Sequence, residues 1–229
     1  MKHLRPEVFE LNPRAHIEMK QIGNGGHNLL LIENLFLYAD DVATLFDEMI
    51  FTSDEAIRAN SPCFRAILPQ LTYLKPLHRK IFELHFTKYQ INDMNLGRVT
   101  LDQYWDGSNI IDQSSYHPHT DDLNKTSYAI VIFMNKKNIH GGTQFVRRVD
   151  TPTPMETLES VNDEPLIKKS TKINPSKPLW WHESEWQQYC LIPMKFNRLI
   201  SYRSNLCHAP YTNGRFYHKN PRKIISGVF

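Results

Sequence analysis

The chain has 229 residues, 41% of them hydrophobic, and a formal net charge of +3. That length suffices for one large domain or two small ones, and the apolar content is ordinary for a globular chain with a sizeable core. So small a positive excess gives no ground for a nucleic-acid partner, and with no apolar run of spanning length no membrane helix is expected.

The start, "MKHLRPEVFELNPR", lacks the apolar segment of a secretory leader. Three scattered cysteines (Cys63, Cys190, Cys207) point to reduced thiols rather than a disulfide framework, and so to a cytoplasmic setting. Cys207 reads as a packed core thiol. The pairs Arg147-Arg148 and Lys168-Lys169 read as solvated faces.

After an irregular start, "HNLLLIENLFL" reads as a strand with a turn at Glu33-Asn34. In "DDVATLFDEMIF" the apolar residues Val42, Leu45, Phe46, Met49 and Ile50 recur at helical spacing, with Asp40 or Asp41 as the N-terminal cap. A polar stretch containing "SPCF" breaks the pattern. "KPLHRKIFELHF" is a second helix, with Pro76 in its first turn and Leu77, Ile81 and Leu84 along one side. From about Leu96 the character changes. "LGRVTLDQYWD" alternates and is rich in β-formers, and "SYAIVIFMN" is a near-continuous apolar strand. "HGGTQFVRR" is a double-glycine turn entering a strand, and "RLISYRS" and "KIISGVF" are two more.

Helices first and many short strands afterwards favour a mainly β (α+β) fold, a sandwich or jelly roll with N-terminal helices packed on one sheet. The reading is one domain over 1–229. Residues 1–95 form the strand and helical layer, and 96–229 form the jelly-roll core with an insertion at 150–188. That insertion ends in "PLWWHESEW". Its tryptophans Trp180, Trp181 and Trp186 imply an ordered cover rather than a free linker.

The chemistry centres on "SYHPHTDD", just before the apolar strand. On an extended chain residues i and i+2 project to one side, so His119 and Asp121 can reach one ion together. His208, at the end of the strand "RLISYRS", is the candidate third ligand. Two neutral imidazoles and one carboxylate leave positions open on an octahedral metal, as expected for non-haem Fe(II) in oxygenases. Arg222, in "NPRKIISGVF", is placed to clamp a carboxylate bidentately.

This ordered set resembles the Fe(II)- and 2-oxoglutarate-dependent dioxygenases, in particular their prolyl-hydroxylase-like branch. The matching elements are "HTD", "YAIVIFMN", "GGTQF", the histidine of "LCHAP" and the arginine of "PRKII". The resemblance covers roughly residues 96–229. It implies a double-stranded β-helix (jelly roll, cupin-like) with His119, Asp121 and His208 on Fe(II), and 2-oxoglutarate as cosubstrate held by Arg222. It implies O2 as the oxidant, with succinate and CO2 released and a substrate hydroxylated. An amino acid, a peptide or protein side chain, or a small metabolite would serve as substrate. Asp121 argues against halogenation, because halogenases of this type lack the carboxylate ligand.

Several assignments stay open at this point. His117 shares the parity of His119 and Asp121 and reads as polar lining; Asp122 has the opposite parity. Arg215, in a loop, competes with Arg222 as the clamp. Tyr104 is a candidate hydrogen-bond donor to the cosubstrate, with Tyr128 and Arg203 as weaker ones. His140 and His218 read as loop histidines and His182 as packing. Two other classes compete: a cupin-like metal isomerase or hydrolase that uses no 2-oxoglutarate, and a non-catalytic jelly-roll binding module.

Overall fold

The computed structural model describes residues 4–52, 63–67, 71–85, 99–104, 118–121, 127–137, 140–148, 186–211, 217 and 220–228. Among these residues ten strands carry the fold: β1 (His16–Ile22), β2 (His27–Glu33), β3 (Phe64–Ile67), β4 (Val99–Tyr104), β5 (Tyr128–Phe133), β6 (Gly142–Arg148), β7 (Trp186–Pro193), β8 (Arg198–Arg203), β9 (His208–Tyr211) and β10 (Arg222–Val228). Among the described residues, two α-helices, α1 (Ala39–Glu48) and α2 (Lys75–His85), lie between the early strands. The strands form two antiparallel sheets. The larger has seven strands in the order β1-β2-β8-β5-β10-β4-β3, and the smaller three in the order β7-β6-β9. A mostly β chain of two antiparallel sheets with few helices is consistent with a jelly-roll-like fold. Among the described residues no helix is long and apolar enough to cross a membrane.

The apolar strand β5 shows how the layers are built. All six of its residues are buried. Ala129, Val131 and Phe133 join a core with Phe145, Cys190, Ile192 and Ala209 of the smaller sheet. Ile130 and Ile132 join a second core with Val42, Leu45, Leu77 and Ile81 of the helices. Between β8 and β10, and covered on both faces, β5 has no solvent side. That is why its sequence does not alternate. Strand β2 divides in the same way, Leu29 and Leu31 to the inter-sheet core and Leu30 and Ile32 to the helical one. The N-terminal helices therefore pack on one face of the larger sheet, as the sequence implies.

Helix α1 buries Val42, Leu45 and Phe46. It stops at Glu48, and Met49 is extended, so Ile50 leaves the apolar face and is 86% exposed. The residue at the N-cap is Tyr38; Asp40 and Asp41 sit inside the first turn. There their charges complement the positive end of the helix dipole instead of capping the first turn, which corrects the expected cap. In α2, Pro76 occupies the first turn, and Leu77, His78 and Ile81 are buried.

Four features depart from the sequence reading. Strands β1, β3 and β9 lie where loop or irregular chain was expected, and Trp186 to Gln188 belong to β7 rather than to the insertion. Arg147 is buried, with Nε and Nη2 donating to Gln187 Oε1 at 3.0 and 2.8 Å, so it is not a solvated face. Its cross-strand neighbour on β7 supplies the acceptor. Cys207 is only partly buried, while Cys63 and Cys190 are in the core; none of the three forms a disulfide. Lys168-Lys169 and residues 149–185 lie outside the described residues.

The double glycine works as expected. Gly141 has φ +93°, a conformation closed to side chains, and a Cβ there would run into the Tyr217 hydroxyl. That hydroxyl donates to the His140 carbonyl at 3.1 Å. At Gly142 a Cβ would collide with the Ile192 carbonyl of β7, so the second glycine permits the close pairing of β6 and β7.

Candidate metal centre

His119 forms an isolated antiparallel bridge with His208, the first residue of β9. The two residues exchange both backbone bonds: His119 N donates to His208 O and His208 N to His119 O, each at 2.9 Å. This places their rings side by side, with centroids 4.5 Å apart. Asp121, two residues on, has its own amide fixed by the Ser204 carbonyl at 2.9 Å. The extended H-x-D segment thus lies along the edge of β9, and its two side chains point the same way as His208.

The result is a compact donor set. Asp121 Oδ1 lies 3.6 Å from His119 Nε2, and Oδ2 lies 3.4 Å from His208 Nε2. One ligand atom from each residue falls within 4.8 Å of the others. His208 Nδ1 lies 2.9 Å from the Leu206 carbonyl. A carbonyl only accepts, so Nδ1 carries the proton and the Nε2 lone pair is left free toward Asp121. That is the tautomer a metal ligand requires. The His119 side chain is 48% exposed, that of Asp121 26% and that of His208 8%, so the cluster opens to solvent on the H-x-D side.

The electrostatics favour a neutral imidazole beside an ionised carboxylate. Burial pushes His208 down to about 4; Asp121 opposes this, and His119 and Arg222 add to it. Burial would raise the Asp121 carboxyl, but His208, His119 and the Arg65 guanidinium outweigh it and hold it below the usual carboxylate value. Phe145 and Tyr202 wall the buried side of His208, with ring centroids 6.4 and 4.9 Å away. Two imidazole nitrogens and one carboxylate converging from one side fit a divalent transition metal that keeps exchangeable positions.

Arg222 begins β10, is 2% exposed and lies close enough for its charge to act on His208. Its Nη2 donates to Thr143 Oγ1 of the smaller sheet at 3.3 Å, and the guanidinium sits 5.5 Å from the Phe133 ring centroid. The backbone of Tyr104 pairs directly with Arg222 across β4 and β10; its side chain is outside the description. A second guanidinium also stands near. Arg65 of β3 donates to Asp102 of β4 through Nε at 2.7 Å and Nη2 at 3.0 Å. Asp102 is fully buried and also accepts from Ser226 Oγ at 2.7 Å. The sequence reading passed over this pair, since nothing local to "FRAI" or "VTLDQY" marks two charges that meet only by strand pairing.

Tyr128 and Arg203 do not belong to this cluster. They pair across β5 and β8, and the Tyr128 ring lies 4.1 Å from that of His85 on α2. Both are therefore on the helix-facing side of the larger sheet, which removes them as cosubstrate contacts. His140 is exposed, as expected of a loop histidine. His117, Asp122, Arg215, His218, His182, Trp180 and Trp181 lie outside the described residues.

Fold and site together define a β-sandwich protein with a two-histidine, one-carboxylate cluster at the edge of its smaller sheet. The chain belongs to a family of unknown function, DUF6445, whose profile matches residues 13–223. No curated protein matches it. Among solved structures it is similar to the crystal structure of the non-heme alpha ketoglutarate dependent epimerase SnoN from nogalamycin biosynthesis. That likeness has 12% sequence identity and a TM-score of 0.46, over 88% of this chain and 77% of that one.

Proposed function

We propose that the chain is a non-haem Fe(II)- and 2-oxoglutarate-dependent oxygenase, built on a double-stranded β-helix, that hydroxylates an amino-acid, peptide or small-metabolite substrate. The observation that carries this reading is the convergence of His119, Asp121 and His208, with the His208 tautomer set for ligation. The strand orders support the fold assignment: β8-β5-β10-β4 in one sheet faces β7-β6-β9 in the other, with the His119 bridge continuing the smaller one. Bound iron would supply the oxidising chemistry, consuming O2 and converting 2-oxoglutarate to succinate and CO2.

The chain's own residues bind, orient and shield. His119, Asp121 and His208 hold the ion. Arg222, buried beside them with Thr143, receives the far carboxylate of 2-oxoglutarate, and the Phe133 ring beneath it keeps water off that ion pair. Tyr104, opposite Arg222 in register, is the second cosubstrate contact.

The test is anaerobic. Fe(II) and then 2-oxoglutarate are added to the purified chain, and the visible charge-transfer band of the chelated cosubstrate is recorded. The band is expected with the parent chain and lost with His208→Ala; Arg222→Ala should need at least tenfold more 2-oxoglutarate to give it. Metal uptake with no band at any 2-oxoglutarate concentration would refute the oxygenase reading in favour of a cupin-like metal enzyme. No metal uptake at all would leave a binding module.

A further inference from the structure

Three candidate ligands from two distant stretches must be held to fractions of an ångström, and the hydrogen bonds show what holds them. All three refer to one short stretch, the turn from β8 into β9. His119 is paired through both backbone bonds to His208. The His208 ring is oriented by the Leu206 carbonyl. Asp121 has its amide on the Ser204 carbonyl.

Ser204 does more than accept that bond. It is fully buried, and it grips Ser127 through two donors: its backbone N–H at 3.0 Å and its hydroxyl at 3.1 Å both reach the Ser127 carbonyl. Ser127 immediately precedes β5, and Asp121 is the carboxylate of the cluster. The chain between Asp121 and β5 is thus pinned at both ends on one residue. The Leu206 amide closes the turn on the Arg203 carbonyl at 3.0 Å, and the Cys207 carbonyl is tied to Val146 of β6 at 3.1 Å. The turn is therefore anchored to both sheets.

We propose that Ser204 is the positioning residue of the metal centre, a clip that fixes the Asp121 carboxylate relative to the two imidazoles. This rests on the metal-centre reading above. Only serine or threonine, among the natural side chains, offers a short hydroxyl donor to the Ser127 carbonyl alongside the amide. Alanine keeps the amide bond and loses the second anchor. Asp121 then samples positions that do not suit the ion. Groups that orient ligands in this way typically change metal affinity 10–100-fold when removed.

The probe is Co(II) alone, titrated into the untagged full chain, with its visible d–d spectrum reporting the ligand geometry. Parent, Ser204→Ala and Ser201→Ala are compared. Ser201 is an equally buried serine of β8, three residues before Ser204, whose hydroxyl lies 3.0 Å from His85 Nε2 on the helix-facing side of the sheet, so it controls for loss of a buried hydroxyl as such. Ser204→Ala should weaken Co(II) binding about tenfold and shift the spectrum; Ser201→Ala should do neither. Equal affinity and an unchanged spectrum for Ser204→Ala would overturn the clip while leaving the metal centre standing. If Ser204→Ala does not fold, Ser204→Thr and Ser204→Val give a pair of one shape differing in the hydroxyl. Thr should bind about tenfold more tightly than Val, and equal binding would overturn the proposal. A parent chain that takes up no Co(II) would remove the metal centre itself, and the clip with it.

Discussion

His78 of α2 is fully buried, and burial lowers its pKa from 6.5 to about 4. The folded chain therefore refuses a proton that the unfolded chain accepts anywhere between those two values. Because the unfolded state binds more protons across this window, stability rises with pH there and falls as the pH drops from 6.5 toward 4. At pH 7 the unfolded imidazole is mostly neutral and the penalty is small. At pH 5 it is almost fully protonated, and linkage removes about 2 kcal/mol of folding stability. His85, held at about 4 by burial and then by the Arg203 charge, adds a smaller loss in the same window, being only partly buried. Urea denaturation at pH 7 and pH 5 measures the fall, and His78→Leu isolates its source. The variant should lose a clear share of the pH dependence, the remainder belonging to His85 and His208, which burial also holds at about 4. An equal drop in parent and variant between pH 7 and pH 5 would show that His78 is accessible to protons in the folded chain, and the argument from its burial would fail.

The pair of partly buried Arg65 with fully buried Asp102 predicts a large asymmetry. Asp102→Ala or Arg65→Ala alone should cost about 3–5 kcal/mol in urea unfolding by leaving one charge unpaired, whereas Arg65→Met with Asp102→Leu should recover most of it. Gly141→Ala should lower the thermal midpoint by several degrees, about 2 kcal/mol or more, because φ +93° and the Tyr217 hydroxyl both exclude a Cβ. On α1, Leu45→Ala should cost about 2–5 kcal/mol while Ile50→Lys stays within about 0.5 kcal/mol, as read by chemical denaturation of each variant.

Much of this was legible because burial writes itself into periodicity. The run Tyr128–Phe133 had to be a strand covered on both sides, and the spacing of Val42, Leu45 and Phe46 had to be a helix face. The pairing of His119 with Asp121 followed from strand parity alone. What escaped was set by tertiary contact. Strand β1, "HIEMKQI", is an edge strand in which Glu18 and Lys20 alternate with exposed Ile17 and Met19, so its apolar signal is faint. Strand β9, "HAPY", carries a proline that reads as loop; it forms only because β6 on one side and His119 on the other supply partners. Asp40 and Asp41 have the chemistry of caps, but the helix starts two residues earlier than a cap at Asp40 requires and three earlier than one at Asp41. The carbonyls of Ser204 and Leu206 organise the cluster through atoms every residue possesses, so no side-chain motif could have announced them.

The dependence of Asp121 on Ser204 also has a consequence for the order in which the molecule becomes competent. Strands β5 to β8 are synthesised between those two residues. A nascent or prematurely terminated chain that already carries His119 and Asp121 has neither the second imidazole nor the carbonyl that holds the Asp121 amide. At the proposed centre, an ion would find its full ligand set only once synthesis has passed His208, so shorter nascent chains would offer it an unfinished scaffold.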